Sequence, residues 1–155
     1  MSFMAQMAWK RLLRRVTQLY IGLLLYGLSA ALQVRSGLGL DPWDVFHQGL
    51  SEHLGLAIGT VSIIVGAAVL LGWVPLRQRP GLGTLSNAVL IGVSTNAFLM
   101  WLPHVHLVGW RITDMLAGVL LCGVATGMYI GANLGPGPRD GLMTGLARRP
   151  DARSG

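Results

Sequence analysis

Charge is scarce in this chain, and cysteine nearly absent. Asp, Glu, Lys and Arg together make up 12% of its 155 residues, against about 25% in an ordinary soluble domain, so an extensive solvated surface is excluded. The single cysteine, Cys122, excludes an intrachain disulfide. Sustained alternation of polar and apolar residues is also missing, which removes a transmembrane β-barrel. What is present is apolar: 52% of residues are hydrophobic and the mean hydropathy is +0.56. This is the composition of a membrane protein.

Four windows lack any charged residue: 16–34, 54–76, 80–103 and 115–138, of 19, 23, 24 and 24 residues. Each is long enough to cross about 30 Å of hydrocarbon as a helix, and helices satisfy their own backbone polar groups in lipid. Four spans are expected. The formal net charge of +6 invites a nucleic-acid reading, but the placement of the bases argues for topology instead. Lys10, Arg11, Arg14 and Arg15 precede span 1, Arg77 and Arg79 follow span 2, and Arg139, Arg148, Arg149 and Arg153 follow span 4. Arg35 and Arg111 alone fall in the other two loops. The positive-inside rule therefore puts both termini in the cytoplasm, and no nucleic-acid partner is expected.

The chain repeats itself. SGLGLDPWDVFHQGLSEHLG at 36–55 returns as ANLGPGPRDGLMTGLARRPD at 132–151, at a constant offset of 96. Leu38, Gly39, Pro42, Asp44, Gly49 and Leu50 recur as Leu134, Gly135, Pro138, Asp140, Gly145 and Leu146. Extending the comparison back to Tyr20 adds Gly22, Leu24, Leu25 and Gly27, matched by Gly118, Leu120, Leu121 and Gly123. Ten identities in 36 positions compare with roughly three by chance, and a repeat of this kind is an architectural signal. Copy one covers about 16–103 and an incomplete copy two about 112–155, within a single membrane domain 1–155. With three spans per unit, the second copy enters the membrane from the opposite face, so the repeat is inverted, as in several secondary transporters. Because span 1 is the partner of span 4, it belongs to the fold, and a cleaved signal peptide is rejected.

Residues 1–15 read as a short amphipathic lead-in. Span 1 carries Gln18, Gly22, Tyr26, Ser29 and Gln33 at helical spacing, a small and polar stripe suited to facing other helices. In the first motif Asp41 can cap a helix starting at Pro42 and running to about His53, with Asp44 in its first turn. Its Trp43, Phe46, Leu50 and Leu54 give one apolar face, with Asp44, Gln48, Ser51 and Glu52 largely opposite, so this helix lies on the bilayer or dips into the protein. Span 2 runs from about 56 to 76, followed by a tight turn over 77–80. Span 3 has Thr84, Asn87, Ala88, Gly92 and Thr95 along one side, with Ser94 and Asn96 nearby. Span 4 bears Gly123, Gly127 and Gly131 four apart, a surface for close helix contact. All five tryptophans fall at expected interfaces or in loops, as an aromatic belt requires.

The helix starts at Pro42 and Pro138 would offer free N–H groups and a positive dipole end from opposite sides, a setting for an anionic group, with Asp44 and Asp140 competing for it. The candidate functional motif is thus Gly39, Asp41, Pro42, Trp43, Asp44, Gly135, Pro138, Arg139 and Asp140, with Tyr26, Gln33, Asn87 and Thr95 as helix-interior polar residues. His47, His53, His104 and His106 lie on one side and read as solvated interfacial histidines rather than metal ligands. GPGPRDG lacks the preceding strand and following Lys-Ser/Thr of a phosphate loop. No catalytic, cofactor or metal residues are expected, and no enzyme.

The run 35–92 (RSGLGLDPWDVFHQGLSEHLGLAIGTVSIIVGAAVLLGWVPLRQRPGLGTLSNAVLIG), with NLGPGPRDGLMTGLARR, resembles the YczE/YitT-type family of small bacterial integral membrane proteins. The resemblance covers about 16–149, its two glycine-proline motifs being the most specific parts. It implies the bacterial cytoplasmic (inner) membrane and a polytopic helical fold, without implying a mechanism. Similar proteins run on through a further span, so the chain is expected to be truncated or frameshifted, or to have its missing spans supplied by a partner. The expectation is an all-α integral membrane protein with about four transmembrane helices plus short amphipathic or re-entrant helices. The leading function is small-solute transport or export. The alternative is a non-transporting accessory or regulatory module acting through a partner membrane protein or a homo-oligomer in the lipid bilayer.

Overall fold

The computed structural model describes residues 3–77 and 79–147. These form six helices: α1 (Phe3–Ser36), α2 (Pro42–Leu54), α3 (Ile58–Gly72), α4 (Leu82–Trp101), α5 (Val108–Gly131) and α6 (Pro138–Ala147). Arg148, Arg149 and Arg153, and the end of the second repeat, lie outside the described residues.

The lead-in and span 1 are one helix of 34 residues rather than two segments, because no proline or glycine interrupts the chain between Phe3 and Gly22. Helices α1 and α5 lie antiparallel. Gly22 packs where a Cβ would stand 3.0 Å from Met128 Cβ and from the Tyr129 nitrogen. Further along, Gly118 packs against the Ser29 carbonyl and Gln33, and the Ser29 hydroxyl donates to the Gly118 carbonyl at 2.8 Å. The stripe on α1 thus faces a helix, as its spacing predicts. On α5 the close approach is made by Gly118. At Gly123 and Gly127 a Cβ would meet nothing within 4 Å, whereas at Gly131 it would stand 3.1 Å from Gln18 of α1, so of the glycine ladder Gly131 alone packs within the described residues.

Two arginines mark the ends of this pair. Arg15 donates to the carbonyls of Ala132 (2.8 Å) and Asn133 (2.6 Å). At the other end Arg111 donates to the carbonyls of Ser36 (2.6 Å) and Gly37 (3.1 Å). Helix α4 runs parallel to α1, with Tyr20 at Ser86, Gly27 against Ser94 and Thr95, and Arg35 donating to the Leu99 carbonyl. Helix α3 runs antiparallel to α4. Gly59 abuts Gly92 and donates its N–H to Asn96 at 2.9 Å, while Gly66 faces Ala88. The apolar core is Leu19, Leu23, Ile91, Tyr129 and Ala132.

Outside this core the surface is apolar. Leu116, Leu120 and Val124 on α5 and Leu85, Val89 and Val93 on α4 are half or more exposed. Together with three helices long and apolar enough to cross a membrane, this surface is that of a membrane protein. The fourth expected span differs from its prediction. Helix α3 has 15 residues, a length of roughly 22 Å at 1.5 Å per residue, short of a full crossing. It joins α2 at a bend of 112°, as a broken span or a re-entrant pair. Gly55 causes the break: it caps α2 in the left-handed conformation (φ 66°), with its N–H returning to Ser51, which only glycine adopts without strain.

Candidate functional site

Helix α2 begins as its sequence predicts. Asp41 Oδ1 accepts from the N–H groups of Trp43 and Asp44, both at 2.9 Å, and Pro42 stands in the first turn. At Pro42 the expected vacancy for an anion is corrected, since the N–H groups of this helix start are already taken by Asp41. Of the two settings expected for α2, on the bilayer or dipping into the protein, the burial pattern combines features of both. Phe46 and Leu54 are more than half exposed, whereas Asp44 and His47 are buried. In lipid an apolar side chain gains nothing by turning inward, so the polar face is the one that needs partners.

His47 is therefore not a solvated histidine; its exposure is 0%. Its Nδ1 lies 3.2 Å from Asp44 Oδ1, one turn earlier on the same helix, and 3.5 Å from the Arg139 guanidinium of the second motif. The same guanidinium reaches Ser62 Oγ at 3.4 Å and lies over the Trp43 ring, 5.4 Å from its centroid. Arg139 so bridges the two motifs across α3. Among the described residues no carboxylate lies within 4 Å of it. Asp140, its neighbour, accepts from the Tyr129 hydroxyl at 2.6 Å, and Tyr129 in turn packs edge-on against Tyr26.

Two buried atoms of this cluster have no partner: Asp44 Oδ2 and His47 Nε2. Small cavities adjoin the cluster. One of about 10 Å³ is lined by Asp44, Ser62, Thr95 and Gly59. Another of about 20 Å³ lies along α3 and α4 beside Arg139. A third, of about 40 Å³, is lined by Tyr26, Asn87, Tyr129, Arg139 and Asp140. Spaces of this size hold one or a few waters. Among the described residues no group of three or more His, Cys, Asp or Glu side chains could hold a metal ion.

The structure brings together Trp43, Asp44, Arg139 and Asp140 of the predicted motif and Tyr26, Asn87 and Thr95 of the interior polar set. It leaves others out. Gln33 bonds Ser29 and packs on Gly118. Gly39 sits in the exposed loop before α2, and Gly135, with φ 127°, turns the chain between α5 and α6 where it packs against Gly81 and Thr84 at the start of α4. The Pro138 carbonyl accepts from Trp73 Nε1 at 3.1 Å. Trp73, in the turn that ends α3 as expected, is held by protein rather than by the bilayer surface. Trp73 is 1% exposed and anchors α6 against α3, while Trp9, Trp101 and Trp110 remain exposed. His47, Ser62 and Tyr129 were missed as site residues. The spacing of His47 three residues after Asp44, on the buried side of a capped helix, was the available signal for the first.

A cluster of a buried carboxylate and imidazole, Asp44 and His47, with the half-buried Arg139 guanidinium and Asp140 carboxylate, inside an apolar helix bundle defines a polytopic α-helical membrane protein with a polar interior site. Such groups are costly in a membrane and as a rule mark function. A profile described as "Family of unknown function (DUF6198)" matches residues 13–153, and the chain belongs to that family. It is 39% identical over 137 residues to the uncharacterized membrane protein YczE of Bacillus subtilis, covering 86% of this chain and 63% of that protein. It is 36% identical over 148 residues to an uncharacterized protein of Haemophilus influenzae, covering 96% and 68%. A second B. subtilis relative, the uncharacterized protein YyaS, is 26% identical over 126 residues, covering 79% and 63%. The chain thus spans about two thirds of the length of these relatives. No solved structure matches it.

Proposed function

We propose that this protein is a transporter or exporter of a small solute, built on an inverted repeat whose two motif helices act as gates on a shared interior site. The observation that carries the reading is the meeting of His47 and Arg139, 3.5 Å apart, from motifs that follow opposite ends of the α1–α5 pair. The repeat reading is supported by matched contacts at the offset of 96. Arg15 stands to Ala132 and Asn133 as Arg111 stands to Ser36 and Gly37. Gly37 and Asn133, equivalent and not identical, both adopt a positive φ, at 59° and 53°. In this reading the bilayer is the bacterial cytoplasmic membrane with the N-terminus inside, since the Arg15 end carries most of the bases.

The test is charge movement in proteoliposomes challenged with a panel of small amines, carboxylates, amino acids and sugars. A signal abolished by Asp140→Asn in folded protein supports the proposal; a flat response across the panel removes it. Cysteine substituted at Ser51 should label from outside in a background without Cys122.

A second reading is favoured by one observation. Gly27 on α1 is covered by Ser94 and Thr95 of α4, whereas Gly123, its counterpart on α5, meets nothing. That open face suits a non-transporting module that acts through a partner membrane helix or a second copy. Co-purification of one membrane protein without any solute response would favour it.

A further inference from the structure

We infer that Asp44 and His47 together form a proton-binding site, and that the proton they take up unlatches Arg139 from the first motif. The inference rests on the transport reading only for what the latch would serve. It stands on the geometry of a single nitrogen. His47 Nδ1 faces Asp44 Oδ1 at 3.2 Å and the Arg139 guanidinium at 3.5 Å, and it cannot satisfy both at once. A guanidinium only donates, so contact with Arg139 requires a lone pair on Nδ1 and the proton on Nε2. A hydrogen bond from His47 to the Asp44 carboxylate requires the opposite, a proton on Nδ1.

Adding one proton from water resolves the conflict in one direction. If the imidazole takes it, Nδ1–H donates to Asp44 Oδ1, and the imidazolium repels the guanidinium. If the carboxyl takes it, Asp44 donates its O–H to Nδ1 and occupies the lone pair. Either way Nδ1 stops accepting from Arg139. Without the added proton the neutral imidazole has two tautomers: Nδ1–H bonds Asp44, whereas Nε2–H leaves Nδ1 open, and it is in the latter that Arg139 ties α6 to α2. No bond other than N–H and O–H changes, and the balance needs no further reactant.

The unpartnered atoms point to the same ligand. Both Asp44 Oδ2 and His47 Nε2 are buried without a partner, and the cavity at Asp44 has room for water but for no larger solute. The groups facing the pair from each packed element are few. Asp41 holds the α2 N-terminus, Tyr26 comes from α1 with Tyr129 and Cys122 of α5 beside it, and α3 offers Ser62 and α4 Thr95, neither ionisable. Arg139 and Asp140 come from α6. Asp41 is bonded by two N–H groups and Asp140 by the Tyr129 hydroxyl, which leaves Asp44 the least satisfied carboxylate.

The experiment uses the full chain in nanodiscs, with Cys122→Ala and spin labels at Val45→Cys and Met143→Cys, both exposed positions on α2 and α6. The interlabel distance is expected to change on acidification. In His47→Gln the distance should be independent of pH, and in Asp44→Asn the midpoint should move by at least a factor of three in proton concentration. Nitrogen-15 histidine spectra, assigned by the loss of one resonance in His47→Gln, should show a change of protonation at the same midpoint. A distance that ignores pH in the folded parent, or a response surviving His47→Gln, overturns the latch. The outcomes separate from those of the transport reading: a pH-driven latch without any charge movement keeps this site and removes transport, and solute flux with a pH-independent distance does the converse.

Discussion

Arg15 and Arg111 each hold the far end of the other's helix: Arg15 binds the two carbonyls that follow α5, and Arg111 the last carbonyl of α1 and the one after it. The last carbonyls of a helix have no partner within it, and a guanidinium there also complements the negative end of the dipole. The four bonds therefore close the α1–α5 pair at both ends.

Replacing either arginine with alanine should lower stability by about 1–3 kcal/mol, the cost of losing bonds to a charged donor. The double variant should come close to the sum, because the sites lie at opposite ends and share no partner. Reversible unfolding in detergent measures both. Equal stability of Arg111→Ala and the parent would mean that water satisfies the α1 terminus equally well.

Glycine substitutions separate covered from open faces. At Gly59 an added Cβ would run into the Gly92 carbonyl and the Asn96 amide, so Gly59→Ala should cost about 1–3 kcal/mol by overpacking. At Gly123 nothing stands within 4 Å. There alanine should stabilise the isolated chain by up to about 1 kcal/mol through helix propensity. Loss of stability in Gly123→Ala would indicate that this face is covered in the assembled protein.

Trp73 decides whether α6 stays docked. Its ring fills the space beside Gly141, and its Nε1–H bonds the Pro138 carbonyl. Trp73→Phe should cost about 1–2 kcal/mol for the unmade hydrogen bond, and Trp73→Ala about 3–5 kcal/mol. Proteolysis near Leu142 should accelerate in the alanine variant while α1–α5 stay protected. Unchanged cleavage would show that α6 is held by other contacts.

Tyr129→Phe removes the hydroxyl that satisfies Asp140 Oδ2 at 2.6 Å. The unpaired carboxylate should cost about 1–3 kcal/mol, and restoring stability with the additional change Asp140→Asn would identify the carboxylate as the source. Thermal unfolding of the three proteins distinguishes this from a simple loss of packing.

The repeat could be seen in the chain because Gly, Pro and Asp at helix starts answer to local backbone needs, which survive as identities at a fixed offset. Capping at Asp41 was legible for the same reason. The break between α2 and span 2 was legible too, but the length of span 2 was not: hydropathy runs on to Leu76, whereas the helix ends at Gly72. His47 was misread because a lone histidine near an interface looks the same whether it faces water or Arg139.

Membrane residence, the all-helical fold and the places where helices begin follow from local composition, since lipid imposes internal backbone hydrogen bonding on every segment regardless of its neighbours. The pairing of His47 with Arg139, separated by 92 positions, had to wait for packing. Side-chain reach across three helices depends on how α2, α3 and α6 stack, and no local propensity encodes that distance.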